Sequence, residues 1–198
     1  IVANEKFALK AQNAGCDAVV AEGFEAGGHN GKEETTTLVL IRQLADVLQI
    51  PLIAAGGIAS GEQMAAVMAM GADGVQVGSA FAVAKESSAH EAFKKAVFAS
   101  KEGETKLFMR KLSPTRLLKG AFFDQIAKAE AEGASAEELL QIIGVGRTKK
   151  GMFEGNLEEG ELEIGQVASM LNEEKSVEEI FESFRQGFAK AKERLQQM

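Results

Sequence analysis

Two short apolar runs, Pro51-Leu52-Ile53-Ala54-Ala55 and Gly74-Val75-Gln76-Val77, each end in a glycine turn, Gly56-Gly57-Ile58 and Gly78-Ser79-Ala80. A helical segment from Gly61 to Met70 separates them. Strand, helix and strand with short connections predict parallel strands covered by helices, and continuously apolar strands agree with burial on both faces. Glycine lets backbone N–H groups approach an anion closely, and the N-terminus of a following helix adds the positive end of its dipole. Two adjacent turns of this kind can therefore hold one phosphate group. In a (β/α)₈ barrel such turns mark the loops after strands seven and eight, where a phosphate site is frequently built at the catalytic face.

Two similar units come first. Ile1-Val2-Ala3 reads as the end of a strand, followed by Asn4 as a helix cap, by Phe7, Ala8, Ala11 and Ala14 at helical spacing, and by Gly15 as the stop. Ala18-Val19-Val20-Ala21 is a second strand, leading into a polar, glycine-bearing loop from Glu22 to about Thr36. Leu38, Ile41, Leu44, Ala45 and Leu48 then line a helix that stops before Pro51. The segment Ala14-Gly15-Cys16-Asp17-Ala18-Val19-Val20 is echoed two units later by Met70-Gly71-Ala72-Asp73-Gly74-Val75-Gln76, both being helix stop, aspartate, strand. The echo fits duplicated units of a barrel and equally a doubly wound open sheet.

Beyond Phe81 helix signals replace strand signals, with S-x-x-E capping boxes at Ser88 to Glu91, Ser135 to Glu138 and Ser176 to Glu179. The last opens a helix whose face of Val177, Ile180, Phe181, Phe184, Phe188, Ala191 and Leu195 is expected to dock on the body or on a missing part of it, and which makes a homodimer plausible. A full barrel takes ~250 residues. The expectation is thus an α/β chain: residues 1–84 form the C-terminal half of a TIM (β/α)₈ barrel, and 85–198 form a helical tail with a loop or lid at about 144–165. The N-terminal half is expected upstream on the same polypeptide or from another chain.

With 29 acidic against 22 basic residues the net charge is −7, and no stretch gathers the basic residues into a stripe, which argues against nucleic acid. No apolar run approaches the ~18 residues of a membrane span. The single Cys16, just before an apolar strand, is expected to be a reduced, buried thiol, fitting a cytoplasmic protein. Two histidines and one cysteine form no metal-ligand set with recognisable spacing, so no metal is expected.

The loop Glu22-Gly23-Phe24-Glu25-Ala26-Gly27-Gly28-His29-Asn30-Gly31 follows the second strand. A lone loop histidine more often bonds its own backbone. At the C-terminal end of a barrel strand, beside the glycine turns, His29 is instead the first candidate for proton exchange with a ligand near pH 7. Glu22 and Glu25 could tune His29 or contact a ligand, although loop glutamates are more often solvated. His90, in the first turn of a capped helix, reads as surface.

These stretches, together with Gly71-Ala-Asp-Gly-Val-Gln-Val-Gly-Ser79-Ala-Phe81 and Gly165-Gln166, resemble the FMN-dependent nitronate monooxygenase family, formerly 2-nitropropane dioxygenases. The closely related FMN-dependent enoyl-acyl-carrier-protein reductases carry very similar motifs. The resemblance implies a flavoenzyme acting on a small-molecule substrate, with the FMN phosphate at Gly56, Gly57, Gly78 and Ser79. It places Gly27, Gly28 and His29 close to the flavin ring, with His29 as catalytic base. The activity it implies first is oxidation of alkyl nitronates and nitroalkanes by molecular oxygen. NAD(P)H-dependent enoyl reduction in fatty-acid synthesis is the alternative, and a flavin- or phosphate-binding scaffold without catalysis is the non-enzyme reading.

Overall fold

The computed structural model describes residues 1–197. In chain order its first half contains α1 (Glu5–Asn13), β1 (Val19–Glu22), the two-residue β2 (Gly28–His29), α2 (Thr37–Ala45), β3 (Leu52–Ala55), α3 (Gly61–Ala69), β4 (Gly74–Gln76) and the short α4 (Ser79–Ala82). The second half contains α5 (Glu91–Phe98), β5 (Thr105–Phe108), β6 (Thr115–Leu118), α6 (Ala121–Ala131), α7 (Ala136–Ile143) and α8 (Val177–Gln196).

The apolar runs form one parallel sheet in the order β1-β3-β4, with Val19 opposite Leu52 and Ile53 opposite Gly74. Val2 adds to its outer side through a parallel bridge to Ala21, so all four anticipated strands run side by side in sequence order. The aspartate of the echo has a role at β3: the Leu52 N–H donates to Asp73 Oδ2 (2.8 Å) and the Asp73 N–H donates to the Leu52 carbonyl (2.7 Å). Leu40, Ile41 and Leu44 of α2 pack with Ala8, Val19, Ala21, Leu52 and Ala54 under the sheet. Each fully buried leucine or isoleucine there contributes about 1.5–3 kcal/mol.

Part of the tail helix packs on the body. Ile180 and Phe184 of α8 join the same core. A Cβ on Gly61 would collide with the Phe184 carbonyl oxygen, and one on Gly187 would stand 3.1 Å from the Gly61 Cα, so α3 and α8 cross with their backbones in near contact. Phe181 and Leu195, on the expected apolar face, remain exposed, Phe181 lying against Phe81 with ring centroids 5.6 Å apart.

Several expectations for residues 85–198 need correction. The segment is not wholly helical: β5 and β6 form an antiparallel pair, and β2 joins them in the order β2-β6-β5. Thr-Lys-Leu-Phe and Thr-Arg-Leu-Leu are short and charged, and β6 is buried on every residue, so neither shows an alternating pattern. The boxes at Ser135 and Ser176 form, but the one at Ser88 does not. His90 caps α5 instead, its Nδ1 accepting from the Ala92 N–H at 3.1 Å. Residues 144–165 are not a bare loop: Lys149–Phe153 form a π-helical turn, Leu162 and Ile164 are buried, and Glu163 bridges antiparallel to Leu117. Cys16 is exposed rather than buried, because it lies in the turn after α1, with its N–H on the Ala11 carbonyl, ahead of the buried span that begins at Val19. Among the described residues no helix is long and apolar enough to cross a membrane.

Candidate functional site

The parallel strands end at a cavity of about 220 Å³. Gly56 and Gly57 bound it after β3, Gly78 and Ser79 after β4, and Gly27 lies on the facing loop. Five of the six residues expected to bind a cofactor therefore share one cavity, while Gly28 and His29 lie outside its walls. Gly56 and Gly57 have φ of +87° and +70°, a region that side chains rarely adopt, and a Cβ on Gly56 would stand 2.6 Å from the Gly23 carbonyl oxygen. Among the described residues the N–H groups of Gly57, Ile58 and Gly78 have no acceptor. Unmet backbone donors on residues that line one cavity suit an anion cradle.

No lysine or arginine lines this cavity, and two carboxylates, Glu22 and Glu163, do. Burial pushes the Glu22 carboxyl above the usual carboxylate range. The Ser79 hydroxyl accepts from the Gly165 N–H at 3.0 Å, which leaves its own proton free to donate. The Gln166 N–H donates to the Glu25 carbonyl (2.9 Å), and a Cβ on Gly27 would stand 2.6 Å from the Gly165 nitrogen. The strap Ile164–Gly165 and the loop after β1 thus pack backbone to backbone across the cavity. The donor set fits a phosphate group, and the space available takes the phosphate end of FMN rather than the whole molecule.

Glu25 neither tunes His29 nor stands in solvent. Its carboxylate accepts from the Thr37 N–H (3.0 and 3.2 Å), capping α2 from the side, and lies 3.0 Å from Thr37 Oγ1. Thr37 Oγ1 also lies 2.8 Å from the Gly56 carbonyl, fastening the first glycine turn to α2. Sequence reasoning missed this threonine, whose buried position carries no motif.

His29 is exposed at the end of β2, opposite Thr115 of β6, and makes no hydrogen bond among the described residues. Asn30 holds the loop behind it, its Nδ2 donating to the carbonyls of Ala26 (3.0 Å) and Gly28 (2.9 Å). A polar cluster flanks this strand: Thr148 Oγ1 lies 2.9 Å from Glu161 Oε2 and 3.2 Å from Glu163 Oε1, and a Cβ on Gly28 would be 2.8 Å from Glu163 Oε2. Burial raises the Glu161 carboxyl above its ordinary range, helped by the Glu163 charge and opposed by Thr148 and His29. Glu161-Leu-Glu163-Ile alternates charged and apolar residues, a period-two signal that could have revealed the extended bridge of Glu163 to Leu117. Among the described residues no group of three or more histidines, cysteines or carboxylates is placed to hold a metal ion.

The family model for nitronate monooxygenase matches residues 1–187. A probable nitronate monooxygenase of Staphylococcus aureus (strain JH9) is 39% identical over 142 residues, covering 66% of this chain and 38% of the relative. The structure of FabK from Thermotoga maritima superimposes with a TM-score of 0.92 at 37% identity, over 98% of this chain and 61% of FabK. The nitroalkane oxidase of Streptomyces ansochromogenes does so with a TM-score of 0.79 at 30% identity, over 98% and 58%. The chain thus spans less than two thirds of each of these relatives.

Proposed function

Because the chain belongs to the nitronate monooxygenase family, we propose that it supplies the phosphate-holding side of an FMN site in an enzyme that oxidises alkyl nitronates and nitroalkanes with molecular oxygen. The observation that carries this reading is the pair of neighbouring glycine turns whose Gly57, Ile58 and Gly78 N–H groups have no acceptor beside one cavity. These amides and the Ser79 hydroxyl would hold the phosphate, and would do so as dipoles, since among the described residues no cation lines the cavity. FMN, when bound, supplies the two-electron oxidation and the reaction with oxygen. His29 takes the acidic α-proton of the nitroalkane onto an imidazole nitrogen, or orients the nitronate. Met152 and residues 163–165 complete the cavity wall.

We further propose that the four parallel strands are half of a closed (β/α)₈ barrel. The outer side of β4 is unpaired among the described residues. Beside it Val75, Val77, Phe81, Phe181 and Phe188 line an apolar cavity of about 500 Å³, which a further strand and helix would fill. A second reading, NAD(P)H-dependent reduction of enoyl thioesters, is favoured by motifs shared with the enoyl-acyl-carrier-protein reductases. Turnover by the complete barrel separates the two. Oxygen consumption with propionate-3-nitronate and without NAD(P)H supports the first reading, and NAD(P)H oxidation that requires a crotonyl thioester replaces it with the second. A purified protein without the flavin absorption band near ~450 nm overturns both.

A further inference from the structure

We propose that Arg116 is a positioning residue for the loop that carries His29, a role that rests on the flavoenzyme reading above. Strand β2 is only two residues long, and so short a ladder has little stability of its own. Arg116 grips the loop at both ends. Its backbone is the register partner of Gly28, and its Nε and Nη2 donate to the Phe24 carbonyl at 3.1 and 2.7 Å. The guanidinium also lies over the Phe24 ring, 5.2 Å from its centroid. The residues between these two grips include Ala26 and Gly27, which line the cavity, and His29 follows directly.

The environment of Arg116 argues against a simple role in stability. The side chain is 2% exposed, yet among the described residues no carboxylate lies within ion-pair distance of it. The charges facing it are Glu25 on the same loop, Glu34 further along that loop and Arg110 in the turn between β5 and β6. A buried charge without a direct partner is expensive, and an apolar side chain of similar volume is often neutral or stabilising in such a place. What an apolar side chain cannot do is donate twice to one carbonyl while stacking on the adjacent ring. Arg116 does not line the cavity, so it acts through the loop rather than on a ligand.

The test compares wild type, Arg116→Met and Arg116→Lys in the complete flavin-loaded protein, reading kcat, KM, FMN affinity and amide hydrogen exchange over residues 24–30. Arg116→Met is expected to lower kcat roughly 10- to 100-fold, the scale of a small misplacement of a reacting group, with FMN affinity within about threefold of wild type. Exchange over 24–30 rises about tenfold or more. Arg116→Lys, which keeps one charged donor for the same carbonyl, recovers part of both, and it decides the matter if the methionine variant does not fold. Unchanged kcat with unchanged exchange overturns the proposal. So does a loss of turnover that merely follows lost FMN, since Arg116 would then be a support of the cofactor cavity. If wild type itself binds no flavin, the functional reading fails, and the exchange data alone still decide whether Arg116 holds the loop.

Discussion

The parallel sheet ends at the cavity, whereas the strands of the antiparallel sheet lie outside its walls, and the two sheets differ in chemistry. Among the described residues the parallel sheet of β1, β3 and β4 brings mostly main chain to the cavity: glycine turns, N–H groups without acceptors, no cationic side chain, and one carboxyl, Glu22 at the end of β1. The antiparallel sheet of β2, β5 and β6 carries charged and titratable side chains at its margins, with His29 on β2, Arg116 on β6 and Glu163 bridged to Leu117. Fixed backbone dipoles hold an anion at no cost in side-chain entropy, whereas proton transfer needs a group that titrates. On the proposed reading, binding and catalysis in this site should be separable by mutation.

The largest expected effect tests the catalytic side. His29→Ala is expected to lower kcat by about 10²–10⁴ while flavin stays bound, measured by steady-state turnover beside the absorption spectrum. Unchanged turnover would remove His29 from the mechanism. Gly56→Val tests the other side: with φ of +87° and the Gly23 carbonyl in the way, it is expected to weaken FMN binding by about two orders of magnitude, seen by fluorescence titration. Were His29→Ala to release flavin and Gly56→Val to spare it, the division of labour would be reversed.

Smaller effects concern the frame. Gly187→Leu forces α8 away from α3 and is expected to cost about 1–3 kcal/mol, seen as a lower Tm by calorimetry. Glu161 provides a pH test on the antiparallel side. Because burial raises its carboxyl in the folded chain, the folded state binds more protons than the unfolded state between the ordinary carboxylate range and the raised value. The stability it contributes is complete below that window and is lost as pH rises through it. Glu161→Gln, which does not titrate, is therefore expected to flatten the fall of Tm with rising pH, and an unchanged slope would contradict the assignment. The smallest effect is at Cys16, where a thiol reagent is expected to label the folded protein quickly, with almost no change in Tm.

The same division explains what could be read from the chain. The parallel strands read as apolar runs with glycine stops, so their order and the glycine side of the cavity were legible, although only β3 is largely buried and Gln76 of β4 is exposed. The antiparallel strands were hidden because Lys106 and Arg116 interrupt them, and Arg116 is buried only through a carbonyl ninety-two positions away in sequence. Nothing local announces such a partner. Glu25 was legible as a loop carboxylate but not as the cap of α2, because Thr37 lies twelve residues further on. Cys16 was misjudged because a turn residue beside an apolar strand need not share the strand's burial.

Comparing FMN with riboflavin puts phosphate recognition by the two glycine turns to the test. The expected result is that FMN binds at least about a hundredfold tighter than riboflavin, as several charge-assisted N–H contacts of about 1.5–3 kcal/mol each would give. The amide resonances of Gly57, Ile58 and Gly78 should shift only when the phosphate is present. Equal affinity for the two ligands, or shifts confined to other residues, would contradict the account.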